Sequence, residues 1–400
     1  MDHHVADYEC IERRADLEAL VRDLLREDVV AFDTEADSFY HYFDKTCLVQ
    51  VATRRAIFLV DPLALGGPAE LAPLGAVFAA PNVQKIFHAA EYDIYVLKRD
   101  CGFKFANLFD TMVSAQLLGY PSIGLAALAE RHHSVSLPKD EQRSDWSIRP
   151  LTPSQLSYAA ADVAYLIPLA ETLADELAAA GRRAWADEEF EALTRREWPE
   201  RQFDETGYLK IKGARSMEKT ALAVLRELYL LRDARAREID RPPFKVLGNR
   251  VLLEISERQP TTAEELGAIK GVTELILRRL GREVLAAVAR GRKRGHGPIP
   301  RLEGSGRRRL DRPTERRLGA LKRWRARRAS ELALDPGVLC PNAALEAVAA
   351  RSPTSDAELT RVSELKPWFV REFGSELVAV LHADGEEPSD DPEARAGGGA

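Results

Sequence analysis

The sequence predicts an α/β domain built on a mixed sheet, followed by two all-α units. Three observations carry this. Strand and helix signals alternate over the first 200 residues, the pattern turns purely helical from Glu218, and the helical part repeats itself. A chain of 400 residues also exceeds what one hydrophobic core organises, so several domains are expected.

In the first part, Arg14–Arg26 places Leu17, Leu20, Val21, Leu24 and Leu25 at helical spacing. VVAFDTEAD (29–37) opens as a buried strand. TCLVQVAT (46–53) and AIFLVDP (56–62) read as two more strands, close enough to pair antiparallel. Ala69–Ala80 reads as a helix, KIFHA (85–89) as a strand, and Tyr92–Arg99 and Thr111–Leu118 as helices with a short NLFD strand before the second. Ser154–Ala180 reads as one long Ala-rich helix.

Further on, QPTTAEEL (259–266) matches SPTSDAEL (352–359), and LGREVLAAV (280–288) matches FGSELVAVL (373–381), both at an offset of 93 residues. FKVLGN (244–249) resembles GVLCPN (337–342) at an offset close to that. The expected division is an α/β domain over 1–205, helical units over 214–295 and 316–383, a basic Gly/Pro/Arg linker over 296–315, and a disordered acidic tail over 384–400.

Composition is that of a soluble globular protein, 45% hydrophobic and 30% charged. No apolar run reaches the length of a membrane span, and the N-terminus lacks a secretory profile. Four scattered cysteines without a CxxC pair argue against disulfides and a thiolate zinc site, so a cytoplasmic protein is expected. The net charge of −6 is divided unevenly. Residues 1–200 hold 33 acidic and 19 basic side chains, a net of −14, whereas 201–383 carries +13. An acidic catalytic part beside a basic part that binds a polyanion is one reading; solvated charge is the other.

Four acids stand beside buried-looking elements. Asp33 and Glu35 close the first strong strand as D-T-E, and alternation sends both to one side. Asp93 follows the strand KIFHA at the start of a helix. Asp162 lies one helical turn after Tyr158 in SYAAADVAYL (157–166), so phenol and carboxylate share a face. Taken singly, each fits a structural role: a strand-end turn, an acid complementing a helix dipole, a surface pair. Together, four carboxylates without His or Cys would form a hard-oxygen site suited to Mg²⁺ or Mn²⁺. Two such ions can activate a water against a phosphodiester, and the phenol could orient that water.

FDTEAD, FHAAEYD and LSYAAADV, with the stretch KDEQRSDWSIRPLTPSQLSYAAADV (139–163), resemble the tyrosine subclass of DEDD-superfamily 3′–5′ exonucleases over residues 8–200. The whole chain resembles the ribonuclease D family. LRELYLLRDARAREIDRPPFKVLGNRVLLEI and GVTELILRRLG, within 218–290, resemble a helicase-and-RNase-D C-terminal (HRDC) domain, and 316–383 a more divergent copy in which SEL (363–365) replaces Gly271-Val272.

The resemblance implies an RNase H-like exonuclease domain followed by two HRDC-like domains. It implies that Asp33, Glu35, Asp93 and Asp162 hold two Mg²⁺ or Mn²⁺ ions, that Tyr158 orients the attacking water, and that Thr34 lies by the 3′-terminal nucleotide. The substrate it implies is RNA with a free 3′ end, precursor tRNA and other small structured RNAs, cut to nucleoside 5′-monophosphates by a monomer without an organic cofactor.

His88 and Asp93 imitate the spacing of the histidine subclass, but a strand end and a helix start cannot share one helix, so His88 reads as a strand-end hydrogen-bonding residue. Asp110 reads as a helix cap, with a supporting role at the site. Lys139, Gln142 and Arg143 read either as phosphate contacts or as a solvated loop. The basic run over 307–328 reads as an RNA contact or an exposed helix face. A DNA 3′–5′ exonuclease on the same fold and a non-catalytic RNA-binding scaffold are the alternatives.

Overall fold

The computed structural model describes residues 7–199, 202–295 and 310–383. Six strands form one mixed sheet: β1 (Tyr8–Ile11), β2 (Val29–Ala36), β3 (Thr46–Ala52), β4 (Ile57–Val60), β5 (Gln84–Phe87) and β6 (Leu108–Asp110), in the order β1-β4-β3-β2-β5-β6. The three central strands pair antiparallel, and β1, β5 and β6 add in parallel. Every residue of β3 is buried, as its near-continuous apolar run requires of a strand covered on both faces. Strand β2 outruns its neighbour β5: pairing with β5 ends at Ala31, so Asp33 to Ala36 project beyond that edge.

The helix Pro153–Ala164 lies across β2, β3 and β4. Its start is fixed by a capping box, in which the Thr152 hydroxyl accepts from the Gln155 N–H and the Gln155 side chain accepts from the Thr152 N–H. The single long helix expected over 154–180 is two. The first ends at Ala164, Tyr165 leaves helical geometry (φ −109°, ψ 2°), and Leu166–Ala179 continues at a new angle. Pro168 has no N–H to offer the Ala164 carbonyl, which ends the first helix there. The helix expected over 69–80 is likewise a 3₁₀ stretch (Pro68–Leu74) with Pro73 inside it, then a short α turn over Gly75–Ala79. Strand β1 escaped the sequence because YECI is an edge strand whose Glu9 and Cys10 face solvent.

The repeat is exact in its architecture. The first unit has helices Lys219–Glu238, Pro243–Val246, Asn249–Arg258, Ala263–Gly267 and Glu274–Arg294; each has a counterpart starting 93 residues later, at Arg312, Pro336, Asn342, Asp356 and Pro367. Internal bonds repeat too: Arg232 reaches the Leu247 carbonyl and Asn249, and Arg325 reaches the Cys340 carbonyl and Asn342. The second unit begins inside the stretch expected to be linker, where Asp311 caps its first helix. The remainder of that linker (296–309) and the acidic tail (384–400) lie outside the described residues. Leu318, Leu321 and Trp324 face inward as the periodicity predicts.

The copies relate differently to the α/β domain. The first has a core of its own; the core of the second is continuous with that of the α/β domain. Among the described residues no helix is long and apolar enough to cross a membrane.

Candidate active site

At its projecting end, β2 presents Asp33 and Glu35 to the helix Pro153–Ala164, and that helix presents Tyr158 and Asp162 in return. One carboxylate oxygen each of Asp33, Glu35 and Asp162 lie within 4.8 Å of one another. The run Ala159–Ala161 leaves no bulk to hold the helix off the sheet, and Ala159 and Ala160 are fully buried. Asp93 does not join this group directly. It sits in the first turn of the helix Glu91–Cys101, where its Oδ1 accepts a 2.6 Å bond from the Thr34 hydroxyl. The Asp33 charge bears on Glu35, Asp162 and Asp93 alike.

Burial and mutual repulsion hold these acids far from their ordinary behaviour. Desolvation pushes Asp33 up to about 6. Desolvation and the Asp33 charge push Asp162 up to about 8, against a hydrogen bond with Tyr158. Glu35 rises through burial and then through Asp33, Asp162 and Asp93. Asp93 rises through burial and Asp33. The Tyr158 phenol is held protonated by burial and by its acidic neighbours, and the Trp146 ring, 6.0 Å away, packs against it.

A cavity of about 510 Å³ opens over the acids, walled by His88, Leu125, Leu137 and Leu166, with Lys139 and Gln142 at its polar side. A second, of about 370 Å³, lies across Thr34 and Glu35 and is lined by Phe39, Tyr92, Gln142 and Arg143. Thr34, Lys139, Gln142 and Arg143 thus all border the carboxylates. His88 has the strand-end role expected of it, with Nδ1 2.9 Å from the Thr111 hydroxyl; burial lowers it to about 4, so it is neutral. Asp110 caps the helix Thr111–Leu118 through the Met112 and Val113 N–H groups, and also accepts from Ala89 and Ala90, fixing the turn before the Asp93 helix.

Residues 8–178 match the 3′–5′ exonuclease family, and residues 221–288 and 314–381 each match the HRDC domain. Ribonuclease D of Desulfotalea psychrophila is 30% identical over 331 residues, covering 82% of this chain and 87% of that protein. The chain belongs to the ribonuclease D family. Among solved structures, Escherichia coli RNase D, described as an exoribonuclease involved in structured RNA processing, is 25% identical with a TM-score of 0.66, covering 94% of this chain and 99% of that one. The catalytic core of RRP6 from Trypanosoma brucei is 30% identical with a TM-score of 0.66, covering 73% of this chain and 81% of that one.

The protein is thus a 3′–5′ exoribonuclease acting on RNA, with an RNase H-like domain and two HRDC domains. The family uses a divalent metal, and the residues here suit one. The cluster offers oxygen donors only, as hard cations require, and its repelling, desolvated carboxylates are stabilised when a cation joins them. One neighbour escaped sequence reasoning. Gln50 stands directly across from Asp33 in the β2–β3 register, fully buried, with neither side-chain amide atom hydrogen-bonded. Its only signal was a lone polar residue inside an apolar strand, CLVQVA.

Proposed function

We propose that the protein trims the 3′ ends of precursor tRNA and other small structured RNAs in the cytoplasm, acting as a monomer. It uses two divalent ions, Mg²⁺ or Mn²⁺, and releases nucleoside 5′-monophosphates. The reading rests above all on Asp33 and the acids gathered with it. With Glu35 and Asp162 it offers a group of oxygen ligands, and Asp93, held by the Thr34 hydroxyl, is the fourth acid of the reading. When bound, the ions supply Lewis acidity to the attacking water and to the leaving 3′ oxygen.

The protein's own groups supply placement. Tyr158 keeps its proton and shares it with Asp162, so its oxygen is left to accept from a water and hold that water in line with the phosphorus. The terminal nucleotide fits the larger cavity, with Lys139 at its phosphate. Phe39 and Tyr92, respectively 50% and 45% exposed, offer ring faces to an adjoining base.

The test is digestion of a 3′-labelled precursor tRNA, a short unstructured RNA and the matching DNA, each with Mg²⁺, Mn²⁺ or chelator. Release of the label as a nucleoside 5′-monophosphate from both RNAs, abolished by chelator, is expected. Equal hydrolysis of DNA would sink the RNA assignment, and a metal-independent reaction would sink the site.

A further inference from the structure

The loop that leaves β2 after the catalytic acids is tied from within through Asp37 at its base. Between Asp37 and Lys45 its own backbone bonds are a turn, in which the Asp37 carbonyl accepts from Tyr40 and His41, and a closing bond from the Asp37 N–H to the Lys45 carbonyl. The buried Asp37 carboxylate ties down Lys45. From outside, Arg99 of the nuclease domain pairs with Asp44 at 2.8 Å, and residues 40–43 are held by the first HRDC domain. The Asp240 carboxylate accepts from the backbone N–H groups of both Tyr42 and Phe43, each at 3.0 Å, and lies 2.7 Å from His41 Nδ1. The Tyr42 hydroxyl donates to Asp233, the Arg241 guanidinium reaches the Tyr40 carbonyl at 3.3 Å, and the Lys245 ammonium sits 3.6 Å over the Tyr40 ring.

The far side of the same loop faces the active site. Phe39 lines the smaller cavity beside Glu35. The Tyr40 hydroxyl donates to the Arg143 carbonyl at 2.9 Å, and His41 Nε2 lies 3.1 Å from the Ser147 hydroxyl. Arg143 and Ser147 belong to the segment that brings Gln142 and Arg143 to the cavities. The loop is therefore a bracket, with the HRDC domain on one side and both substrate-facing segments on the other.

We propose that Asp240 is a positioning residue for RNA: the first HRDC domain sets the shape of the nucleotide subsite at the nuclease centre, in addition to any contact it makes with RNA itself. The proposal rests on the exoribonuclease reading for its substrate. Asp240 sits just beyond the helix Lys219–Glu238 with a left-handed backbone (φ 47°), a conformation that Gly, Asn and Asp accept more readily than other residues. Evolution could have closed that helix with glycine; the carboxylate adds the three contacts to the loop.

That geometry supplies clean variants in the full-length protein. Asp240→Gly suits the backbone and removes the carboxylate. Asp240→Asn keeps an oxygen for the Tyr42 and Phe43 N–H groups. Two measurements decide. The first is hydrogen exchange of amides 38–46 in metal-free protein, which needs no activity. The second is KM and kcat on an RNA trinucleotide.

Asp240→Gly is expected to speed exchange across 38–46 and raise KM for the trinucleotide about tenfold, equivalent to about 1.4 kcal/mol, with kcat little changed. Asp240→Asn should recover most of both. Unchanged exchange in Asp240→Gly overturns the bracket, and faster exchange with an unchanged trinucleotide KM overturns its role in the subsite. If the wild-type protein fails to hydrolyse the trinucleotide, the functional reading is what fails, and the exchange result still decides whether Asp240 orders the loop.

Discussion

Trp185 of the nuclease domain stacks on Trp368 of the second HRDC domain, with ring centroids 4.5 Å apart and 15° between the planes. The contact is braced: Trp368 Nε1 donates to Glu189 at 2.7 Å, Lys366 pairs with the same Glu189, and Arg371 pairs with Glu188. Arg182 ties the Leu117 carbonyl of one domain to the Leu332 carbonyl of the other. The second HRDC copy is thus a buttress of the nuclease core.

Trp368→Ala should therefore destabilise the nuclease domain itself, by about 3–5 kcal/mol as expected for truncating a buried tryptophan. A chain ended at residue 213 should fare worse, because it uncovers Trp185. Chemical denaturation followed by far-UV circular dichroism checks this. A truncated chain as stable as the nuclease domain in the whole protein would show that the stack contributes nothing.

If Asp162 is a metal ligand, Asp162→Asn should abolish hydrolysis to within the background of the assay while leaving RNA affinity within about threefold, since no phosphate contact is removed. Single-turnover rates with saturating Mg²⁺, alongside binding measured with chelator, separate the two. Near-normal turnover would remove Asp162 from the mechanism.

Tyr158→Phe keeps the ring against Trp146 and removes the hydroxyl. If the hydroxyl aligns the water, the single-turnover rate should fall about 10²-fold with affinity unchanged, because misalignment acts on the chemical step. A change in stability alone, with a normal rate, would reduce Tyr158 to a packing residue.

The parts of this site visible in the sequence are those whose chemistry dictates residue type. Asp33 with Glu35, and Tyr158 with Asp162, were legible as pairs because strand alternation and one helical turn are short-range rules; that the two pairs meet was implied by the family resemblance, and the structure gathers the three acids. The Thr34–Asp93 bond was not legible, for it joins residues 59 apart through the sheet edge. Nor was the bracket: SFYHYFDK has no periodicity, and its partners lie about 200 positions away. Nothing in the sequence pairs Trp185 with Trp368, 183 positions apart; only tertiary packing stacks them. The helix break after Ala164 was recoverable, since Pro168 was in plain view.

The raised carboxylates make a linked prediction about pH and metal. Asp33 and Asp162 titrate in the folded protein at about 6 and about 8, above an ordinary value of 3.8. The fold favours their protonated forms. Their contribution to stability is therefore intact below the unfolded value and is lost as pH rises through 6 toward 8. Metal-free protein should unfold at a lower temperature at about pH 8 than at about pH 5, beyond the change seen in an Asp33→Asn, Asp162→Asn double variant. Mg²⁺ or Mn²⁺ should restore the loss most at the higher pH, where the ligands have released their protons. Thermal scans with chelator and with metal at both pH values test it; a metal effect equal at both would contradict the assignment.

Where RNA beyond the active site is held is a question of charge. Residues 1–200 carry −14, so the nuclease surface repels RNA away from its metal ions, while 201–383 carries +13. The core shared with the second HRDC copy means that cutting the chain cannot isolate this term, because stability falls with it. Charge reversal on the first copy can. Lys270, Arg278, Arg279 and Arg282 are exposed on and just before its last helix. Replacing Arg278 and Arg282 by Glu leaves the buried face of that helix intact, since Leu280, Val284, Ala287 and Val288 carry the packing. Each arginine that neutralises a phosphate adds about 0.7 to the slope of log K against log salt for single-stranded RNA. The double variant, made with Asp33→Asn to prevent cleavage, should lower affinity for a folded precursor tRNA at about 50 mM salt and flatten the slope by about one unit or more. It should leave the KM of a trinucleotide unchanged in the active background, in contrast to Asp240→Gly, whose effect is at the subsite. An unchanged salt slope would mean that these arginines are solvated charge, and that the first HRDC domain acts through the loop alone.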